Sequence, residues 1–180
     1  VGRDLLADEG KTGDTAKATR RFVTEMEIAA HDLGARNASF ADPYGLSAKN
    51  AATARDMGLI AARIFTDPRL LPAWACTERT LNIQGKRPRA VALKTSLEIL
   101  GDEPVIGAKT GSYVSKGIFN LVTAWRAPNG QTIVGVVLGA KSDAARYAEM
   151  RGFIEAAPKD FEQLRGPAVA AEPPPTSGCN

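Results

Sequence analysis

Val105-Ile-Gly-Ala-Lys109-Thr110-Gly111-Ser112-Tyr113 is the stretch on which the reading of this chain turns. An apolar run leads into the Lys-Thr-Gly triplet. A second apolar run follows at Ile118-Phe-Asn-Leu-Val-Thr-Ala-Trp125, then the turn Pro128-Asn129-Gly130, then a third run from Gln131 to Ala140. Asn-Gly between two such runs is a strong hairpin signal, so the three runs read as an antiparallel meander. The triplet has a physical use on such a strand. Lys109 brings a fixed cation for a carboxylate, and Thr110 adds a short hydroxyl donor. Gly111 removes the side chain, so an extended ligand can lie against the strand edge.

The same triplet occurs at Lys11-Thr12-Gly13, within Asp8-Glu-Gly-Lys-Thr-Gly-Asp-Thr-Ala-Lys17. That segment is polar and turn-rich and has no strand pattern on either side. It reads as a solvated loop, and context separates the two copies.

Outward from the meander, further strand patterns run from Thr77 to Ile83 and from Ala90 to Lys94. Helical periodicity covers Thr15 to Leu33, with Phe22, Met26, Ala29, Ala30 and Leu33 on one stripe. Gly34 follows in the place of a C-terminal glycine, and His31 reads as a partly exposed helix-terminal residue rather than a catalytic base. Ala38 to Leu46 reads as a loop with a turn at Asp42-Pro43-Tyr44-Gly45. A helix from Thr53 to Phe65 opens with Thr53 and Asp56 spaced as a capping box; its inner stripe is Met57, Ile60, Ala61 and Ile64. A shorter helix after Pro68 carries Leu70, Leu71 and Trp74. A last helix, Ser142 to Ala156, carries Ala145, Ala148, Met150, Phe153 and Ile154. Asp4–Asp8 reads as a helix remnant, and residues 166–180 as a Pro-rich extended tail. The fold class is therefore α/β: an antiparallel sheet flanked by helices, with the last helix packing back on the sheet.

Composition narrows the function classes. The 180 residues suit one domain with a real core, and 44% hydrophobic content is that of a globular protein. Net charge is +3, from 23 basic and 20 acidic residues. The clusters Arg20-Arg21 and Lys86-Arg87-Pro88-Arg89 are not interleaved with aromatics, so no nucleic-acid partner is expected; they read as solvated loops. Two cysteines, Cys76 and Cys179, and a single histidine lack metal-ligand spacing, so neither a metal nor another cofactor is expected. The spacing leaves open whether the cysteines pair. No apolar run reaches membrane-spanning length, and no signal peptide is visible.

Several segments in order carry a family resemblance. Leu33-Gly34-Ala-Arg-Asn37-Ala-Ser-Phe40-Ala-Asp-Pro43-Tyr-Gly45-Leu46 is similar to the segment LG-x-x-N-T-x-F-x-x-P-x-G-L of the low-molecular-mass penicillin-binding proteins, the serine-type D-alanyl-D-alanine carboxypeptidases. Thr53-Ala-Arg55-Asp56-Met57-Gly-Leu-Ile60-Ala resembles their T-A-R-D-M-A-x-I-A helix. Lys94-Thr95-Ser96-Leu97-Glu-Ile-Leu100 and Ile106-Gly107-Ala-Lys109-Thr110-Gly111 resemble N-T-N-x-L-L and G-x-K-T-G. Asn120-Leu-Val and Val136-Val-Leu-Gly-Ala140 continue the match, which runs from about residue 22 to 155.

The resemblance implies a β-lactamase/transpeptidase-like fold, incomplete at the N-terminus, with residues 1–165 as the C-terminal part of the catalytic domain. It implies removal of the terminal D-alanine from peptidoglycan pentapeptide stems through an acyl-enzyme, with β-lactams as inhibitors and an extracytoplasmic location. Such enzymes need Ser-x-x-Lys for the nucleophile and its base, and Ser-x-Asn for proton shuttling. Neither occurs here, and Val1-Gly2-Arg3-Asp4 stands where Ser-Gly-Asn-Asp would lie. The nucleophile part is expected outside this chain, as is any segment for membrane association. Lys109, Thr110 and Gly111 are the implied substrate-binding residues; Lys109 and Ser112 are the implied catalytic ones, Ser112 through its backbone N–H at the oxyanion. Lys94 falls where it could reach the site from a neighbouring strand, although a solvated strand-end lysine is the preferred reading. A non-catalytic homologue that keeps the Lys-Thr-Gly groove and a β-lactamase are the competing readings, the Asn37–Leu46 and Thr53–Ala61 segments favouring the carboxypeptidase.

Overall fold

Residues 15–161 are described by a computed structural model; the expected helix at Asp4–Asp8, the Lys11-Thr12-Gly13 loop, Cys179 and the tail 166–180 lie outside the described residues. The structure divides into two compact units, one up to Ile60 and one from Ala61 onward.

In the first unit, α1 (Thr15–Asp32) ends as its glycine demands. Gly34 takes φ +85°. Its N–H donates to the carbonyl of His31 and that of Ala35 to the carbonyl of Ala30, each at 2.9 Å, the paired bonds of a Schellman ending. The core of this unit is small: Ala30, Ala35 and Ala38, with Phe40, Ala52 and Ile60 packed on it. Ala29 and Leu33, expected on the inner stripe, are exposed instead.

The helix α2 (Ala54–Phe65) begins with the capping box read from its sequence. The Asp56 N–H donates to Thr53 Oγ1 at 3.1 Å, and the Thr53 N–H donates back to Asp56 Oδ2 at 3.0 Å. The Thr53 hydroxyl also donates to Asp56, and the Asn37 N–H reaches its other oxygen at 3.4 Å. These donors, the Thr53 hydroxyl foremost, outweigh burial and hold the Asp56 carboxyl below the usual range. A second carboxylate, Asp42, organises the turn after it. Burial works against its charge, but the N–H groups of Tyr44, Ser47, Leu46 and Gly45 together hold its pKa down.

The second unit is built on the sheet order β3-β4-β5, where β3 is Val105–Tyr113, β4 Ile118–Arg126 and β5 Thr132–Ala140. Pairing is antiparallel throughout, with Gly111 opposite Asn120 and Ser112 opposite Phe119. The Asn129-Gly130 turn forms as expected: Gly130 takes φ +81°, and the Gly130 and Ala127 N–H groups close it. Side chains alternate across the sheet. One face buries Ala108, Leu121, Trp125 and Val137 against Tyr147, Met150 and Ala157 of the last helix, α4 (Asp143–Phe161). The other buries Ile106, Val122 and Ala124 against Ala61 and Phe65, with Leu71 and Trp74 of α3 (Leu71–Ala75) alongside. The helices thus flank the antiparallel sheet.

Two expectations need correction here. In α4, Ala148 and Phe153 are exposed, whereas Arg146 and Tyr147 are buried. The remaining strands, β1 (Glu78–Ile83) and β2 (Arg89–Lys94), do not join the meander; they form a separate two-stranded antiparallel ribbon.

Candidate functional site

β3 occupies an edge of its sheet. It pairs with β4 on one side, and among the described residues no strand pairs with it on the other. An edge of this kind presents unpaired N–H and C=O groups that an extended peptide can meet. The triplet lies on it in accessible positions: Lys109, Gly111 and Ser112 are exposed and Thr110 is half-buried.

A register irregularity between Val105 and Gly107 sets which side chains face which way. Beyond it, Gly107, Lys109, Gly111 and Tyr113 share the face on which Phe65 packs, and Ala108, Thr110 and Ser112 share the face toward α4. Gly107 is required by packing, since a Cβ there would stand 2.8 Å from Phe65 Cε1. Gly111 is not. Its nearest neighbour to an added Cβ is Asn120 Nδ2 at 4.0 Å, so nothing among the described residues needs that position bare. Lys109 folds along the strand and donates to the carbonyl of Thr110 at 2.5 Å, leaving its ammonium at the surface.

Arg146 is the residue the sequence reading missed. It is 5% exposed and rises from α4 toward the site strand. Its Nη1 donates to Ser112 Oγ at 2.7 Å and to the carbonyl of Asn120 at 3.3 Å; its Nη2 bonds the Asp143 carboxylate. The guanidinium also lies 5.1 Å from the Tyr147 ring centre and 5.8 Å from that of Phe119. It thereby ties β3, β4 and α4 together next to Gly111 and adds a second cation to that end of the strand. The only sequence signal was an arginine among the apolar positions of the last helix.

The structure brings Lys109, Thr110, Gly111 and Ser112 together on one edge. Lys94 does not join them. Its strand β2 is no neighbour of β3, and its ammonium pairs with Glu78 at 3.3 Å. Among the described residues no group of His, Cys, Asp and Glu could hold a metal ion. No helix among them is long and apolar enough to cross a membrane.

The antiparallel sheet flanked by helices is the fold of penicillin-binding proteins and DD-transpeptidases of known structure. The chain is similar to the Streptomyces K15 DD-transpeptidase, with 28% identity and a TM-score of 0.73 over 83% of this chain and 59% of that one. It is similar to penicillin binding protein 5 from Haemophilus influenzae, with 26% identity and a TM-score of 0.66 over 76% of this chain and 39% of the other. A D-alanyl-D-alanine carboxypeptidase from Mycobacterium tuberculosis shares the fold at 19% identity and a TM-score of 0.64, over 95% of this chain and 62% of that one. The chain thus spans less than two thirds of each of these proteins. A search of curated proteins found no match. Residues 12–142 match the D-alanyl-D-alanine carboxypeptidase family, Peptidase S11, and the chain belongs to that family.

Proposed function

We propose that this chain supplies the substrate-binding strand of a serine-type D-alanyl-D-alanine carboxypeptidase acting on peptidoglycan stem peptides. The observation that carries the reading is the open edge of β3, with Lys109, Thr110 and Gly111 presented along it. A stem peptide adds to that edge as an extended strand. Lys109 attracts the terminal carboxylate of the peptide, or that of a β-lactam, and its cation favours proton transfer in the site. Thr110 donates a hydrogen bond to the same carboxylate. Gly111 leaves the strand bare where the ligand backbone approaches. The Ser112 N–H serves as one donor of the oxyanion hole. Arg146 holds the Ser112 side chain and so fixes the strand at that point.

The reaction also needs a serine nucleophile beside a lysine base, a pair that these 180 residues do not contain. The catalytic reading therefore requires a Ser-x-x-Lys from elsewhere in the gene product. Residues 1–165 are then the C-terminal part of its catalytic domain, 166–180 a linker, and the enzyme works on the cell-wall side of the membrane. The competing reading is a homologue that binds stem peptides without cleaving them. The two are separated by incubating the gene product with an N-acylated D-Ala-D-Ala peptide. Release of D-alanine, abolished by benzylpenicillin, is the expected result. Saturable peptide binding without release supports the non-catalytic homologue, and neither binding nor release refutes both.

A further inference from the structure

The ribbon that the sheet leaves out has two unlike faces. Its register sets Leu81 opposite Val91, Ile83 opposite Arg89 and Arg79 opposite Leu93. Directly opposed residues point the same way, so Arg79, Leu81, Ile83, Arg89, Val91 and Leu93 form one face. Thr80, Asn82, Ala90 and Ala92 lie on the other. All strand residues of the ribbon except the half-buried Val91 are exposed. Leu81 and Ile83 are each 40% exposed and Leu93 47%. A lone two-stranded ribbon is marginal in water, and here its apolar face has no cover among the buried clusters of the second unit.

The charge of the ribbon is one-sided. Residues 79–94 contain five cations, Arg79, Lys86, Arg87, Arg89 and Lys94, and no acid. The one acid at its base, Glu78, pairs with Lys94. Arg79 and Arg89 therefore flank an apolar centre, with Lys86 and Arg87 at the connecting turn.

We propose that this face of the ribbon docks on an anionic membrane surface. Leu81, Ile83 and Leu93 enter the interfacial layer, and Arg79, Arg89, Lys86 and Arg87 meet lipid phosphates. Charge complementarity with an exposed apolar centre selects the occupant. A soluble polyanion would engage the cations and leave the apolar centre in water. A second copy of the ribbon would set like charges against one another. An anionic bilayer accommodates both features. Binding here would act through residues of this chain itself, unlike the sequence expectation that membrane association comes only from segments outside it. It does not depend on the peptidase reading.

The test is co-sedimentation of the 180-residue chain with vesicles of phosphatidylcholine alone or mixed with phosphatidylglycerol. Two variants accompany it: Leu81→Ser with Leu93→Ser, and Lys86→Glu with Arg87→Glu. Circular dichroism checks that each is folded, as expected for residues outside the buried clusters. The wild-type chain should sediment with the anionic vesicles and not with pure phosphatidylcholine, and each double variant should lose about tenfold or more in partitioning. Three results would overturn the proposal. One is no difference between the two lipids. Another is full binding by the Leu81/Leu93 variant, which would mark simple polyanion attraction. The third is a lipid-free dimer that this variant dissociates. The comparison of lipids with wild-type protein stands even if a variant fails to fold.

Discussion

Gly107 and Gly111 lie four residues apart on the same strand and face, yet they should respond oppositely to the same substitution. A Cβ at Gly107 would stand 2.8 Å from Phe65 Cε1, 3.0 Å from Phe65 Cδ1 and 3.4 Å from Leu71 Cδ1. Phe65 is 3% exposed and its ring meets Trp74 edge-on at 6.2 Å, so it has little room to retreat. Overpacking of this kind costs about 1–3 kcal/mol, which for a chain of this length lowers Tm by about 2–12 °C. A Cβ at Gly111 meets only Asn120 Nδ2, at 4.0 Å. Gly111→Ala should therefore leave Tm unchanged, or raise it slightly through the roughly 0.5 kcal/mol gained when the unfolded chain loses freedom. The added methyl stands beside the strand edge along which the peptide is proposed to lie. Thermal unfolding of both variants of the 180-residue chain measures the stability half. Benzylpenicillin acylation of the gene product, per folded molecule, measures the functional half. The expected pattern is a destabilised Gly107→Ala that still acylates and a stable Gly111→Ala that does not. A stable Gly107→Ala, or a Gly111→Ala that acylates at the wild-type rate, would refute the division of roles.

Two further outcomes follow from the buried charges. Arg146→Met keeps an apolar stem but removes the bonds to Ser112 and Asn120 and the stacking on Tyr147 and Phe119; because Asp143 stays largely in solvent, the loss should be about 2–3 kcal/mol in urea unfolding, and a change below about 0.5 kcal/mol would contradict the bridging role. Asp67, 4% exposed, accepts from the Arg69 side chain and N–H and from Arg63, and Arg69 above all holds its carboxyl well below the usual range. Its folded pKa is thus lower than its unfolded value of about 3.9, so its contribution is present above that pH and lost as pH falls toward the folded value. Urea unfolding followed from neutral pH to about pH 2 should show stability falling below about pH 4, with a lower plateau and a shallower fall for Asp67→Asn; parallel curves would refute the assignment.

The readable parts of this chain are those where local chemistry and tertiary need coincide. The Thr53/Asp56 capping box, the Gly34 helix ending and the Asn129-Gly130 hairpin each rest on bonds made within a few residues, and all three form. The meander was legible because its strands are consecutive. What could not be read depends on partners far along the chain. Periodicity offered Ala148 and Phe153 as inner residues of the last helix, but the helix turns Arg146 and Tyr147 inward. Arg146 finds Ser112, 34 residues away, and the Tyr147 hydroxyl finds the Ser96 carbonyl, 51 residues away. Likewise, the strand patterns at Thr77–Ile83 and Ala90–Lys94 were visible. Their separation from the sheet was not, since alternation does not say which edge a strand joins. Of the candidate site, the Lys-Thr-Gly edge was legible and its supporting arginine was not.

The central claim is that the open edge at Lys109 binds the substrate carboxylate. Its most direct measurement is the rate of benzylpenicillin acylation of the gene product carrying a Ser-x-x-Lys, compared between wild type, Lys109→Ala and Lys11→Ala, the last changing the other copy of the triplet. Losing a charged contact made in the transition state should slow acylation about a hundredfold or more for Lys109→Ala, with Lys11→Ala indistinguishable from wild type. Equal rates for Lys109→Ala and wild type, or equal damage from the two lysine changes, would contradict the account.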